Sequence, residues 1–187
     1  MSENTKNRVC PVEIAGGFDN SIRKFLQNPE KILRPYISKG MSILDFGCGP
    51  GFFSVSMARM LEGTGKVIAA DLQDGMLEKV RQKIKGTALE ERIELHKCES
   101  DKIGVTESVD FILVFYVAHE VPDHDKLFQE FKSILKPDGK IYIIEPNFHV
   151  TQKAFEEMLI KAKSIGFEIV DKPRMFLNRT VLLAKKK

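Results

Sequence analysis

The stretch Ile43-Leu44-Asp45-Phe46-Gly47-Cys48-Gly49-Pro50-Gly51-Phe52-Phe53-Ser54 constrains this chain more than any other. Its apolar opening reads as a buried strand ending in a carboxylate, its glycines as a tight turn, and Phe52 onward as a helix. That order sets exposed backbone amides beside a helix N-terminus, a ready pocket for a cofactor. The spacing bears on which one. A dinucleotide fingerprint, Gly-x-Gly-x-x-Gly, needs a glycine where this chain has Phe52. Asp45 would also repel a polyanion while favouring an ammonium group, so the pattern suits a zwitterionic ligand better than a diphosphate.

Strand and helix signals alternate downstream. The helix opened by Phe52 runs to about residue 61 and stops at Gly63-Thr64-Gly65, after which residues 66–70 form a second buried strand closed by Asp71. Asp71 stands about 20 residues beyond Gly51, where nucleotide-binding α/β folds place an acid for two ribose hydroxyls; capping the next helix is the competing reading. Met76, Leu77, Val80 and Ile84 follow at helical spacing. Residues 92–98 alternate as a third strand, and 109–117 are so continuously apolar that a central strand buried on both faces is expected. Asp123 caps a helix carrying Leu127, Phe128, Phe131, Ile134 and Leu135, and Pro137-Asp138-Gly139 turns the chain into a strand over 140–145. A helix with Phe155, Met158, Leu159, Ala162 and Ile165 ends before Gly166, and strands over 168–171 and 175–184 complete the chain.

Ahead of the first strand, residues 1–17 read as an irregular arm, Ile22, Phe25 and Leu26 as a short apolar stripe, and Asn28-Pro29 as the cap and first turn of a helix ended by Pro35. The expected architecture is an α/β, doubly wound, mostly parallel sheet with helices on both faces. It forms one domain over 1–187, with the arm and helices in 1–39 and the core in 40–187.

Leu44-Asp45-Phe46-Gly47-Cys48-Gly49-Pro50-Gly51 resembles motif I of the class I, Rossmann-like S-adenosylmethionine-dependent methyltransferases. Leu135-Lys136-Pro137-Asp138-Gly139-Lys140 looks like the turn ahead of strand five in that family, so the resemblance covers roughly residues 40–184. It implies seven strands, the last antiparallel, and S-adenosylmethionine as cofactor with S-adenosylhomocysteine as product. Carried over position by position, it puts the backbone of Gly47, Gly49 and Gly51 against the methionine part of the cofactor and makes Phe52 a further cofactor-binding residue. Asp45 falls beneath the ammonium group, Asp71 on the ribose, Leu72 and Met76 beside the adenine, and Phe115 near the sulfonium.

The chain departs from the family after strand three, where many relatives carry an aspartate and this one has Cys98-Glu99-Ser100. Glu99 either takes that role or is an exposed loop acid. After strand four, Phe115-Tyr116-Val117-Ala118-His119-Glu120-Val121 lacks the Asn/Asp-Pro-Pro-Tyr of base-methylating enzymes and resembles the small-molecule (methyltransferase type 11-like) branch. There His119 is a candidate substrate-facing base, against a structural histidine at a strand end. Tyr116 is a catalytic candidate, against packing. Glu145, His149 and Arg174 read as solvated rim residues. No metal is expected from His119 and His124, since five residues with a proline between them cannot make a one-turn histidine pair.

Composition restricts partners. The formal charge is +3, from 29 basic and 26 acidic residues, and Lys185-Lys186-Lys187 alone equals the excess, which argues against a nucleic-acid surface. No apolar run is long enough to cross a bilayer, and the polar start, Met1 to Arg8, lacks a signal-peptide core, so a cytoplasmic protein without membrane contact is expected. Cys10, Cys48 and Cys98 form no paired motif and read as reduced thiols, with Cys10 left open as a contact for a thiophilic acceptor. The leading function is methyl transfer to a small molecule. A non-catalytic cofactor-binding subunit of a larger complex is the alternative, and a nicotinamide-dependent reductase is disfavoured by Phe52. Monomer and homodimer both stay open.

Overall fold

The computed structural model describes residues 27–187; Cys10, the expected arm over 1–17 and the stripe at Ile22, Phe25 and Leu26 lie outside them. The described chain begins with helix α1 (Pro29–Leu33), where the Asn28 side chain accepts from the Lys31 amide at 3.2 Å and Pro29 occupies the first turn, which needs no amide donor. Then come β1 (Ser42–Phe46), α2 (Phe52–Met60), β2 (Lys66–Asp71), α3 (Asp74–Ile84), β3 (Ile93–Lys97) and β4 (Val109–Phe115). A 3₁₀ turn (Ala118–Glu120) leads into α4 (His124–Ile134), β5 (Leu135–Pro146), α5 (Gln152–Ile165), β6 (Phe167–Asp171) and β7 (Asn178–Lys185).

The seven strands pair in the order β3-β2-β1-β4-β5-β7-β6, and β7 runs antiparallel to both of its neighbours while all other pairs are parallel. This is the doubly wound, mostly parallel sheet expected. Because the chain builds outward from β1 to β3 and then crosses to β4, the carboxyl ends of β1 and β4 diverge into loops on opposite sides, which opens a crevice there.

The two-residue period of the strands divides the core. Leu44, Ile68, Ile112, Val114, Ile141 and Ile143 cluster with Phe128 and Phe131 of α4 and Phe155 and Met158 of α5. Ile43, Val67, Ala69, Phe111, Leu113 and Ile144 cluster with Leu33, Phe53, Met57 and Val80 of α1 to α3. Both faces of β4 are therefore covered, as its continuous apolar run requires. The one acid in that run, Asp110, accepts from Lys136 Nζ at 2.8 and 2.9 Å and from the Ser42 amide at 2.8 Å.

Leu135, expected on the helix capped by Asp123, is instead the first residue of β5, and three boundaries differ most from the sequence expectation. Strand β4 stops at Phe115 rather than residue 117, because Tyr116 takes a positive φ of 60° and breaks the extended backbone. Strand β5 starts at Leu135, opposite Val109, and the ladder then jumps to Phe111 opposite Lys140, so the expected Pro137-Asp138-Gly139 turn is a bulge within one strand. Strand β7 starts at Asn178 rather than residue 175, after a left-handed Leu177 with φ 58°.

The turn into β2 rests on Gly65, whose φ is 77°; a Cβ there would fall on the Met41 carbonyl oxygen and 2.8 Å from the Gly40 carbonyl carbon. Gly65→Ala is expected to cost about 1 to 3 kcal/mol of stability by urea unfolding, and an unchanged midpoint would contradict this account of the turn.

Candidate functional site

A cavity of about 370 Å³ opens at the carboxyl end of the sheet, in the size range of small-ligand sites. Its walls come from four strand ends: Phe46, Gly47 and Gly49 after β1, Asp71 to Gln73 and Met76 at β2 and α3, Cys98 to Ile103 after β3, and Tyr116, Val117 and Glu120 to Asp123 after β4. Lys126, Leu127 and Glu130 of α4 close the far side.

The glycine turn is fastened to β2 by its backbone. The amides of Gly47 and Cys48 both donate to the Ala70 carbonyl, at 2.8 and 3.0 Å. Gly47 has φ 69°, and a Cβ would lie 2.5 to 2.9 Å from three atoms of Val117, so only glycine lets the turn pass under that side chain. At Gly49 a Cβ would meet nothing within 4 Å. That residue faces open space, with its amide directed onto Asp71.

Asp71 is 8% exposed. Its Oδ2 accepts from the Gly49 amide at 2.9 Å and its Oδ1 from the Gln73 amide at 2.8 Å, so one carboxylate ties the β1 turn to the loop after β2. The capping position of α3 is Gln73, so Asp71 closes a local turn ahead of the helix instead of capping it. Burial raises its pKa, against the lowering effect of these amides and of Lys97 nearby.

Asp45 is placed differently from the expectation. It is 2% exposed, does not line the cavity, and accepts from Ser54 Oγ at 2.5 Å. The alternation of β1 explains this, since Asp45 shares the face of Ile43, which α2 covers. Its charge therefore acts from beneath the turn. Gly51, Phe52 and Phe115 also stand behind the wall: Phe52 packs edge-on against Phe53 at 5.2 Å, and Phe115 lies between Phe53 at 4.3 Å and Tyr116 at 4.2 Å. The residues brought together on the cavity are thus Gly47, Gly49, Asp71, Leu72, Met76, Glu99 and Tyr116.

Glu99 is both exposed and on the cavity wall, its amide donating to the Lys102 carbonyl at 2.9 Å. Sequence reasoning did not find the rest of this segment. Glu130 accepts from the amides of Ile103 and Gly104 at 2.9 and 3.3 Å and so fixes residues 98–104 from α4, a contact 26 and 27 residues away with no local signal. Cys98 is buried on the wall, and burial, with Asp71 adding to it, pushes its thiol up to about 12, so it stays protonated.

Beside this cavity, Glu145 organises the loop after β4. Read from the sequence as a solvated rim residue, it is 1% exposed, with partners on both of its carboxylate oxygens. Oε1 accepts from the amides of Ala118 and His119 at 2.8 and 3.3 Å, and Oε2 meets His119 Nδ1 at 2.5 Å. The His119 ring packs edge-on to His149 at 4.7 Å. His124 Nε2 is bound instead to the Ala118 carbonyl at 2.9 Å. Tyr116, in its strained conformation, donates its hydroxyl to Asn178 Oδ1 and accepts from Gln27 Nε2 at 3.0 Å.

His119 titrates above its ordinary value. Burial pulls it down, but the hydrogen bond and charge of Glu145, with Glu120, outweigh that. Its protonated form is thus favoured by folding, and this stabilisation is complete below the ordinary value of 6.5 and lost as pH rises through the raised folded-state value. The difference in melting temperature between wild type and His119→Gln should shrink as pH rises through that window. A difference independent of pH would contradict the pairing.

Residues 37–175 match the family model of a methyltransferase domain. Demethylmenaquinone methyltransferase of Lactobacillus johnsonii is 32% identical over 110 residues, which are 58% of this chain and 45% of the relative. Ubiquinone/menaquinone biosynthesis C-methyltransferase UbiE of Haemophilus ducreyi is 27% identical over 110 residues, 58% of this chain and 42% of the relative. The chain matches less than half the length of these curated relatives. Among solved structures, a SAM-dependent methyltransferase from Aquifex aeolicus superposes with a TM-score of 0.82 at 25% identity, covering 94% of this chain and 98% of that one. With the family model matching more than half of the chain and the sheet order described above, the chain belongs to the class I S-adenosylmethionine-dependent methyltransferases.

Proposed function

We propose that this chain transfers the methyl group of S-adenosylmethionine to a small-molecule acceptor in the cytoplasm, with residues 40–187 as the cofactor-binding core. The observation that carries the reading is Asp71, a carboxylate held by two backbone amides on the wall of the cavity under the glycine turn. Each oxygen keeps a second lone pair to accept a ribose hydroxyl. The cradle fits the cofactor in three further respects: open space at Gly49, apolar walls at Leu72 and Met76 for an adenine, and the buried charge of Asp45 below the turn to favour an ammonium group. Gly51 and Phe52 shape that turn from behind. Glu99, or the backbone beside it, is positioned for the adenine amino group.

When bound, the cofactor supplies a methyl group on a positively charged sulfur, open to in-line displacement. The chain's share is alignment and water exclusion, which can contribute about 7 to 11 kcal/mol in favourable cases. Tyr116, with Phe115 packed against it, forms the wall where the acceptor meets the methyl group. His119 serves acceptors that must lose a proton. Glu145 on Nδ1 sets the tautomer, leaving Nε2 as the basic nitrogen and Glu145 as its positioning residue. The names of the relatives make demethylated quinones the first acceptors to assay.

Calorimetry with S-adenosylhomocysteine tests the reading. Wild type should bind, and Asp71→Ala should bind about 1 to 3 kcal/mol more weakly with its circular dichroism retained; no binding to folded wild type would overturn the assignment, and equal binding would remove Asp71 from the site. His119→Ala should lower turnover of any accepted substrate while leaving S-adenosylhomocysteine affinity unchanged. An unaltered rate would reduce His119 to packing.

A further inference from the structure

A second cavity, of about 430 Å³, lies beside the start of β7, and its chemistry is unlike that of the first. Three cations line it, Lys172, Arg174 and Arg179, and no described carboxylate does. None of these three side chains takes part in the ion pairs among the described residues. Arg179 Nε is buried and has no hydrogen-bond partner. Such a donor is costly to leave unmade, and native proteins meet it with a water, an ion or a ligand.

The acids nearby are already committed. Glu145 lies opposite Arg179 in the β5–β7 ladder, but its oxygens hold His119 and the amides of Ala118 and His119. Asp171 accepts from the Lys172 backbone amide at 2.7 Å. The three cations thus face the cavity with no carboxylate paired to them among the described residues. Phe155 adds an aromatic surface to the wall, and the ring of Phe176, 83% exposed, stands at the mouth.

The two cavities share a partition. Asn178 lines the second, Tyr116 lines the first, and the Tyr116 hydroxyl donates to Asn178 Oδ1. We propose that the Lys172–Arg174–Arg179 cavity is the subsite for an acidic group of the methyl acceptor, which makes the acceptor an aromatic carboxylate or phosphate whose reacting end lies beside Tyr116, and not an uncharged quinone like those in the names of the relatives. This rests on the methyl-transfer reading for the acceptor's role, while the anion site stands on its own geometry. Arginine forks match both oxyanions in two-pronged fashion, and Phe176 and Phe155 offer the ring a face.

The test is calorimetry of the full chain, with and without saturating S-adenosylhomocysteine, against benzoate, phenyl phosphate and uncharged benzamide. At least one acid should bind and benzamide should not, and comparison of the two acids tells carboxylate from phosphate. Arg179→Gln should weaken the acid at least about tenfold, and the exposed-side variant Arg174→Gln should weaken it as well, both with S-adenosylhomocysteine affinity unchanged. Failure of both acids to bind, benzamide binding as well as benzoate, or acid binding unchanged in both variants would overturn the proposal. If the acids bind while S-adenosylhomocysteine does not, the anion site stands and the methyl-transfer reading falls; the reverse result leaves methyl transfer and removes this subsite.

Discussion

One carboxylate joins the parts of this molecule that matter most. Asp71 accepts the Gly49 amide from the turn after β1 and the Gln73 amide from the loop after β2, while Ala70, its neighbour, accepts the amides of Gly47 and Cys48. Three backbone donors of the glycine turn and one of the loop after β2 are satisfied by two consecutive residues of β2. The shape of the glycine turn is therefore a consequence of β1–β2 pairing. Burial works against the charge on Asp71 and the amides work for it, which leaves a preorganised acceptor on a cavity wall.

The far side of the crevice is built by the same kind of device. Glu145, buried at the end of β5, gathers the amides of the 3₁₀ turn and the ring of His119, so the loop after β4 is held by the neighbouring strand as the loop after β1 is held by β2. Tyr116 takes a left-handed conformation between these supports, tied by its amide to Ile144 and by its hydroxyl to Asn178. In the proposed function, cofactor chemistry falls on the β1–β3 side of the switch point and acceptor chemistry on the β4–β7 side, with Tyr116 at their boundary.

Local patterns made much of this legible. The strand, turn and helix around Gly47 to Gly51, the apolar run of β4 and the position of Asp71 follow from periodicity and spacing over short windows. What escaped depends on contacts distant in sequence. Glu145 looks like a rim acid until His119, 26 residues earlier, is brought onto it, and Glu130 has no visible task until α4 packs beside residues 103 and 104. Asp45 shows a different limit: its place at a strand tip was readable, but which face it takes depends on the register with Ser54 of α2. The cations of the β6–β7 loop gave no motif, because they converge only through the antiparallel return of β7.

The most direct test of the account is an amide NMR titration of the protein with S-adenosylhomocysteine. If the Asp71 clamp organises the cofactor site, saturable shifts will concentrate at the amides of Gly47, Gly49 and Gln73 and along residues 98–103. A titration that leaves those amides unmoved, or shifts only residues around the β6–β7 loop, would contradict it.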